Sequence, residues 1–106
     1  MNIMKMMKQA ADLQRRMAEV QQGLATRTVE FSSGGGAVTA VVRGDLELER
    51  LRIDPSVVNP AEVALLEDLV CAAVRGAAAE ARAMAAREMA AATRGLDLPP
   101  GFSLPL

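Results

Sequence analysis

A single helical pattern occupies residues 60–94 of this 106-residue chain. Asn59 is a suitable N-cap, Pro60 fits the first helical position, and Glu62 is placed to close a capping box. A helix of this length spans about 50 Å at 1.5 Å per residue, and Gly76 is a place where it could bend. Part of such a helix projects past a small sheet, and its Ala- and Met-rich second half needs a cover. A second copy of the chain is the simplest partner that could cover this surface, so we predict a homodimer.

A second helix is predicted at the amino terminus, over about residues 3–25. Its apolar residues recur at alternating spacings of three and four: Ile3, Met6, Ala10, Leu13, Met17, Val20 and Leu24. This seven-residue period defines a narrow apolar seam that favours packing against another helix or a sheet edge. Three repeats make only a marginal coiled coil, so the partner can lie in the same chain.

Three runs between the helices are rich in β-branched or alternating apolar residues, which predicts strands at about residues 26–31, 37–43 and 46–53. Gly44-Asp45 predicts a tight two-residue turn between the second and third runs. In the third run Leu46 and Leu48 occupy even-numbered positions, whereas Leu51 and Ile53 occupy odd-numbered ones. In a regular strand these two pairs would point to opposite faces of the sheet. Either a bulge near Glu49-Arg50 shifts the register or both faces are partly covered.

These elements predict an α+β fold in the order α-β-β-β-α, as a single domain over residues 1–106. Because only two residues are aromatic, the core must be aliphatic, built from Leu, Val, Met and Ala. The final segment, residues 95–106, is predicted to be extended because it contains three prolines. Its apolar side chains favour packing on the body over a disordered tail: Leu96, Leu98, Phe102 and Leu104.

The stretch SSGGG raises the question of a phosphate-binding loop. Such a loop works when glycine-rich backbone amides lead directly into a helix amino terminus. Here Gly34–Gly36 leads into AVTAVVR, a predicted strand. We therefore interpret residues 32–36 as a hairpin loop in which glycine adopts positive φ without steric cost.

Catalytic and metal-binding patterns are missing from the sequence. The chain has no histidine, the commonest general base and metal ligand. Cys71 has no histidine to activate it and is predicted to be a small buried apolar residue. Glu67 and Asp68 are adjacent on a helix and therefore diverge. We predict a protein that is not an enzyme, with no cofactor, metal or small-molecule substrate.

Targeting features are also lacking. The amino terminus mixes charges throughout and does not resemble a signal peptide, and no apolar run has the length of a membrane span. One cysteine cannot form an internal disulfide, which fits a reducing compartment. We predict a cytoplasmic protein with no membrane partner.

Charge is distributed unevenly along the chain. The net charge is −1, yet residues 1–28 contain five cations and two acids. Asp12 can pair with Lys8, Arg15 or Arg16, and Glu19 with Arg15 or Arg16. Such pairing would leave the two lysines of the first helix as the freest cations. With two aromatics there is no platform for stacking single-stranded bases, and no recognition helix is evident. The uneven charge is equally typical of a solvated helix, and the form of nucleic-acid binding that remains is contact with the backbone of duplex DNA.

Several segments taken together resemble the YbaB/EbfC family of nucleoid-associated proteins. They are MKQAADLQRRM in the first helix, VVRG at the hairpin, RIDPSVV before the long helix, LLEDLVCAAV within it, and LPPGF near the end. The similarity spans essentially the whole chain, and the ordered combination is more specific than any one segment.

The resemblance implies a small bacterial α/β subunit that forms a tweezer-like homodimer, binds double-stranded DNA in the nucleoid, and organises the nucleoid or regulates genes. In the family, helices at the two ends of the subunit are the expected DNA-contacting elements. Carried over by position, the DNA-binding residues expected here are Lys5, Lys8, Arg15, Arg16, Arg87 and Arg94.

Two other interpretations remain open at this stage. A protein–protein adaptor would use the seven-residue seam and the Ala-rich helix to recruit a partner, without direct DNA binding. An enzyme is a distant third, and a metal or nucleotide retained through purification would revive it.

Overall fold

The computed structural model describes residues 2–94 of the chain. The helices and strands are α1 (Ile3–Leu24), β1 (Thr28–Ser33), β2 (Val38–Arg43), β3 (Leu48–Ile53) and α2 (Val63–Ala92). The strands form one antiparallel sheet in the order β1-β2-β3. The predicted α-β-β-β-α order is therefore confirmed. The expectations for residues 95–106, including LPPGF, lie outside the described residues.

The start of α2 differs in detail from the prediction. Asn59 Oδ1 accepts a hydrogen bond from the backbone N–H of Ala61 at 3.0 Å, but what it caps is a short 3-10 turn, Pro60–Glu62, which continues into α2. Glu62 makes no side-chain capping bond, so the predicted capping box does not form. The helix continues without interruption through Gly76, so the glycine does not break it.

The core lies between α2 and one face of the sheet. Its fully buried members are small or β-branched, on β2 and at every fourth position of α2: Val38, Ala40, Val42, Ala73, Ala77 and Ala81. Alanines at i, i+4 and i+8 share one helix face, so the helix backbone can approach the strands closely. α2 packs across β1 and β2 rather than β3.

The first hairpin loop confirms the interpretation of the glycines. Gly34, Gly35 and Gly36 all adopt positive φ, at 60°, 69° and 97°, and connect β1 to β2. Ser33 Oγ donates a hydrogen bond to the Leu69 carbonyl of α2 at 2.6 Å, and a Cβ on Gly34 would lie 2.8 Å from Leu69 Cδ2. The loop thus holds β1 against α2.

The second hairpin loop is one residue longer than predicted. The backbone N–H of Leu46 donates to the Arg43 carbonyl at 2.9 Å, and that of Arg43 donates to the Glu47 carbonyl at 2.9 Å. Leu46 has a φ of 71°, the left-handed conformation that completes a three-residue loop. The predicted turn of two residues is therefore one residue too short. The loop consists of Gly44, Asp45 and Leu46.

A bulge in β3 resolves the change of parity. Val41 lies opposite Arg50 whereas Val42 lies opposite Leu48, so Glu49 is the extra residue. The insertion places Leu48 on the same face of the sheet as Leu51 and Ile53. Of the two predicted alternatives, the register shift is the observed one.

Candidate nucleic-acid interface

Within residues 2–94, the contacts of α1 with the rest of the fold lie along its carboxyl-terminal half. Arg16 Nη1 donates a hydrogen bond to the Ala92 carbonyl at 3.3 Å, and Arg27, just after α1, forms an ion pair with Glu88. These contacts show that α1 passes the end of α2 in the opposite chain direction. The apolar seam of α1 is therefore exposed at its first residue, Ile3, and buried at its last, Leu24.

The amino-terminal half of α1 forms a projecting arm. Residues 3–15 lie before the contact with Ala92, a length of about 20 Å at 1.5 Å per residue. Every residue from 2 to 11 is exposed, and the longest dimension of the molecule is 70 Å. The arm is therefore accessible from most directions.

Lys5 and Lys8 lie on this arm and are exposed. Neither forms an ion pair with any residue in 2–94, and the first turn of α1 contains no acidic residue. Asn2 caps the helix by accepting a hydrogen bond from the backbone N–H of Lys5 at 3.2 Å. The side chains of both lysines can therefore reach an anion without first losing a partner from residues 2–94.

Arg15 and Arg16 are in a different situation. Arg15 lies 3.8 Å from the Asp12 carboxylate and 3.3 Å from that of Glu19. Arg16 is half-buried, and its bond to the Ala92 carbonyl satisfies one of the free acceptors at the negative end of α2. Both side chains already have intramolecular partners that a phosphate would have to replace.

Arg87 and Arg94 lie near the end of α2, and both are exposed. The backbone N–H of Arg94 donates to the Ala91 carbonyl at 3.3 Å, which holds this residue, two positions after Ala92, against the end of the helix. The structure thus brings the predicted residues Arg16 and Arg94 to the same end of α2. Lys5 is 11 residues from Arg16 along α1, about 16 Å away, so the six predicted residues form no single cluster.

The groove between α1 and α2 is charged but balanced. Its volume is about 440 Å³, and its charged lining consists of Arg16, Arg27, Glu19 and Glu88. Two cations face two carboxylates here, and the Arg27–Glu88 pair already neutralises half of them. The groove therefore does not attract an anion as the arm does.

The face of the sheet away from α2 is also of mixed charge. Arg52 pairs with Glu30 across the sheet at 3.4 Å, beside Glu49 and Arg50. This balance makes the open face a poor surface for phosphates. Neither this cross-strand pair nor Arg27–Glu88 could be predicted from the sequence, because the members of each pair are 22 and 61 positions apart and only the fold brings them together.

The structure corrects one expectation about chemistry. Cys71 is exposed on α2, so the prediction of a buried apolar role is wrong for the subunit.

Within residues 2–94, no group of three histidine, cysteine, aspartate or glutamate side chains could hold a metal ion. Neither α1 nor α2 has a long enough apolar stretch to cross a membrane.

Comparison with known proteins identifies the family. The model of the YbaB/EbfC DNA-binding family matches residues 1–96. This chain belongs to the YbaB/EbfC DNA-binding family. The resemblance inferred from the sequence segments is therefore confirmed, and the match includes α1, the sheet and α2.

Individual YbaB/EbfC relatives agree over nearly the whole length. A nucleoid-associated protein of Paramagnetospirillum magneticum is 48% identical, with 98% of this chain and 97% of the relative covered. A nucleoid-associated protein of Anaeromyxobacter is 46% identical, over 93% of this chain and 96% of the relative. Their organisms are bacteria, as expected.

A solved structure shares the fold. The crystal structure of an uncharacterised protein from Helicobacter pylori matches with a TM-score of 0.73 at 16% identity, covering 82% of this chain and 91% of that one. The YbaB/EbfC arrangement of α1, sheet and α2 is thus found in an experimental structure despite low sequence identity.

Proposed function

We propose that this chain is a nucleoid-associated protein of the bacterial cytoplasm that binds double-stranded DNA as a homodimer, mainly through charge on the phosphate backbone. Family membership over residues 1–96 supports DNA binding, and the names of the relatives support the nucleoid. The observation on which the site rests is the projecting arm with exposed Lys5 and Lys8. The protein organises the nucleoid or regulates genes by binding, without catalysis or a cofactor.

The residues proposed to contact DNA fall into two groups. Lys5 and Lys8 form the primary group, because they are exposed and no acid in residues 2–94 neutralises them. Arg15, Arg16, Arg87 and Arg94 form the secondary group near the end of α2. Arg15 and Arg16 contact phosphate only by giving up the contacts described above, so each contributes less net affinity than a lysine.

A bare strip on the sheet supports the homodimer. Leu48 and Ile53 face the α2 side of the sheet but remain 49% and 38% exposed, because α2 covers β1 and β2. A helix is about 10 Å wide and strands are about 4.8 Å apart, so one helix leaves the third strand uncovered. No other helix of residues 2–94 fills this place, since α1 packs on α2.

The apolar surface continues from the strip toward the start of α2. Val58, Val63 and Leu65 are each more than half exposed. A second copy offers the same surface in return, which is what a twofold interface requires. Dimerisation would also bring two arms onto one duplex, in the tweezer-like arrangement implied by the family.

A salt series of gel shifts with a random-sequence duplex tests the proposed function. Binding should weaken steeply with salt, because each phosphate contact adds about 0.9 to the slope of log affinity against log salt. Lys5→Ala/Lys8→Ala should weaken binding and make that slope shallower. Arg50→Ala/Arg52→Ala is the matched control, since it removes the same charge from the open face of the sheet.

The outcomes separate the proposal from its rivals. Equal loss in both double variants would show that overall charge matters and the arm does not. Salt-independent retention of one specific protein, with no shift of DNA, would favour the adaptor instead.

A further inference from the structure

The tip of α1, residues 3–8, exposes an unusual amount of apolar surface. Ile3, Met4, Met6 and Met7 are 67%, 79%, 54% and 65% exposed. Four of the six residues at the end of the arm are therefore large apolar side chains in water. An exposed apolar cluster of this kind is typical of a contact surface.

The seam that packs on α2 does not account for two of these residues, Met4 and Met7. At 3.6 residues per turn, Met6 lies about 60° to one side of Ile3, and both belong to the seam. Met7 and Met4 lie about 40° and 100° to the other side, outside the seam. The apolar stripe thus widens to nearly half the circumference of the helix where the arm has no neighbour in residues 2–94.

The charges beside this surface select an anionic partner. Lys8 lies next to Met4 on the helix surface and Lys5 beyond it, about 140° and 200° from Ile3. The nearest acid on α1 is Asp12, which contacts Arg15 at 3.8 Å. A partner that fits the tip offers apolar surface flanked by negative charge, as the stacked bases of a duplex are flanked by phosphates.

We propose that the α1 tip inserts Met4 and Met7 between base pairs in the minor groove while Lys5 and Lys8 contact the flanking phosphates, so that binding kinks the duplex. This inference rests on the proposed DNA-binding function and adds a mode of contact. Apolar wedges that partly unstack a base step bend DNA by about 20–90°, and the contacts added by the bend offset the loss of stacking. Methionine suits this role because its flexible, polarisable side chain adapts to an irregular gap.

Such a wedge makes binding depend on how easily the DNA deforms. TA steps unstack readily, whereas A-tracts are stiff. The protein should therefore prefer a duplex with central TA steps over one of the same composition with an A-tract, without reading any base edge. Backbone charge alone would give no such preference.

The test compares the full-length protein with Met4→Gln/Met7→Gln on these two duplexes, each labelled at its ends for energy transfer. Glutamine keeps the length and helix propensity of methionine but is polar. Leu46→Gln is the control, because Leu46 is 47% exposed on the distant hairpin loop. Wild type and Leu46→Gln should shorten the end-to-end distance and prefer the TA duplex. Met4→Gln/Met7→Gln should still bind with a steep salt dependence, but with little bending and nearly equal affinity for both duplexes.

Several results would overturn the inference. Bending that survives in Met4→Gln/Met7→Gln excludes the wedge, as does wild-type binding with no bend, while both leave DNA binding intact. A methionine-dependent change in sedimentation without DNA, or methionine-dependent binding to vesicles of anionic phosphatidylglycerol instead of the duplex, assigns the tip to self-association or to lipid. Absence of any duplex binding by wild type contradicts the proposed function itself.

Discussion

The ring of Phe31 in β1 lies directly on Gly76 in the middle of α2. A Cβ at position 76 would come within 2.2 Å of ring Cδ1 and 2.3 Å of Cε1. The glycine therefore serves close packing between helix and sheet, and only a residue without a side chain allows it. α2 tolerates a poor helix former here because the aromatic ring fills the space.

Gly76→Ala should destabilise the subunit by about 1–3 kcal/mol, the usual cost of overpacking a filled site. This loss runs against helix propensity, which favours alanine over glycine by about 1 kcal/mol. Urea unfolding followed by circular dichroism measures it. Adding Phe31→Leu should recover part of the loss, since the two residues are in contact and their effects are not additive.

Gly23→Ala is the internal control for that experiment. Gly23 lies in α1 with nothing within 4 Å of its added Cβ, so only propensity acts there. This variant should gain up to about 1 kcal/mol. Similar effects at positions 23 and 76 would contradict the packing explanation.

Gly44→Ala should also destabilise the fold, by about 2 kcal/mol. The backbone N–H of Gly44 donates to the carbonyls of Leu24 and Arg27 at 3.0 and 2.9 Å, and an added Cβ would lie 2.7 Å from the Leu24 oxygen. That oxygen belongs to the backbone and cannot turn aside, so the end of α1 must shift. A lowered thermal midpoint, compared with the nearly unchanged value expected for Gly35→Asn in an open left-handed site, checks this.

Acid should weaken the second hairpin through Asp45. Hydrogen bonds from Arg43, at 3.1 Å from Nε and 2.9 Å from Nη2, lower the pKa of the Asp45 carboxyl below its usual value, and the N–H of Glu47 adds to this. Because the folded pKa is the lower one, the stabilisation is present above the unfolded pKa of about 3.9 and is lost as pH falls through the folded value.

The measurement is the thermal midpoint as a function of pH. Asp45→Asn should lower the midpoint at neutral pH, and the difference from wild type should shrink below about pH 3. Asp68→Asn on α2 is the charge-matched control. A difference that stayed constant across this range would show that the Asp45 carboxylate is not the titrating group.

Leu48→Glu should convert the proposed homodimer to a monomer. The substitution places a charge in the bare strip of β3, where burying it in an interface costs several kcal/mol. Arg50→Glu is the matched control, because the bulge at Glu49 directs position 50 to the opposite face. Sedimentation velocity at micromolar concentration measures the oligomeric state of both variants and of the wild type. A monomeric wild type at this concentration would exclude the homodimer.

The sequence predicted the elements whose signals are local. The seven-residue period located α1, the alternating and β-branched runs located the sheet, and Gly34–Gly36 was assigned to a hairpin loop because a strand follows it. The parity change between Leu48 and Leu51 indicated a bulge as one of two alternatives, and the structure decided between them. Family membership was equally accessible, since its segments are contiguous stretches of sequence.

The contacts that define the candidate site could not be predicted in this way. From its spacing, Arg16 was expected to pair with Asp12 or Glu19, yet it bonds to a carbonyl 76 residues away. Cys71 was expected to be buried because cysteine usually is, but it lies on the side of α2 away from the core alanines. The Ala-rich sequence of α2 has no narrow apolar stripe like that of α1, so its pattern does not show which face the strands cover.

Local pattern therefore determined the order of helices and strands, the loop glycines and the placing of cations at the amino terminus. Tertiary structure decided which of those cations are available, why Gly76 is a glycine, and which apolar surfaces remain bare. The physical reason is that propensity and hydrophobic period act within a few residues. Whether a cation is accessible depends on how far α1 extends beyond the end of α2. Whether apolar surface stays exposed on β3 depends on the sheet being one strand wider than the helix that covers it.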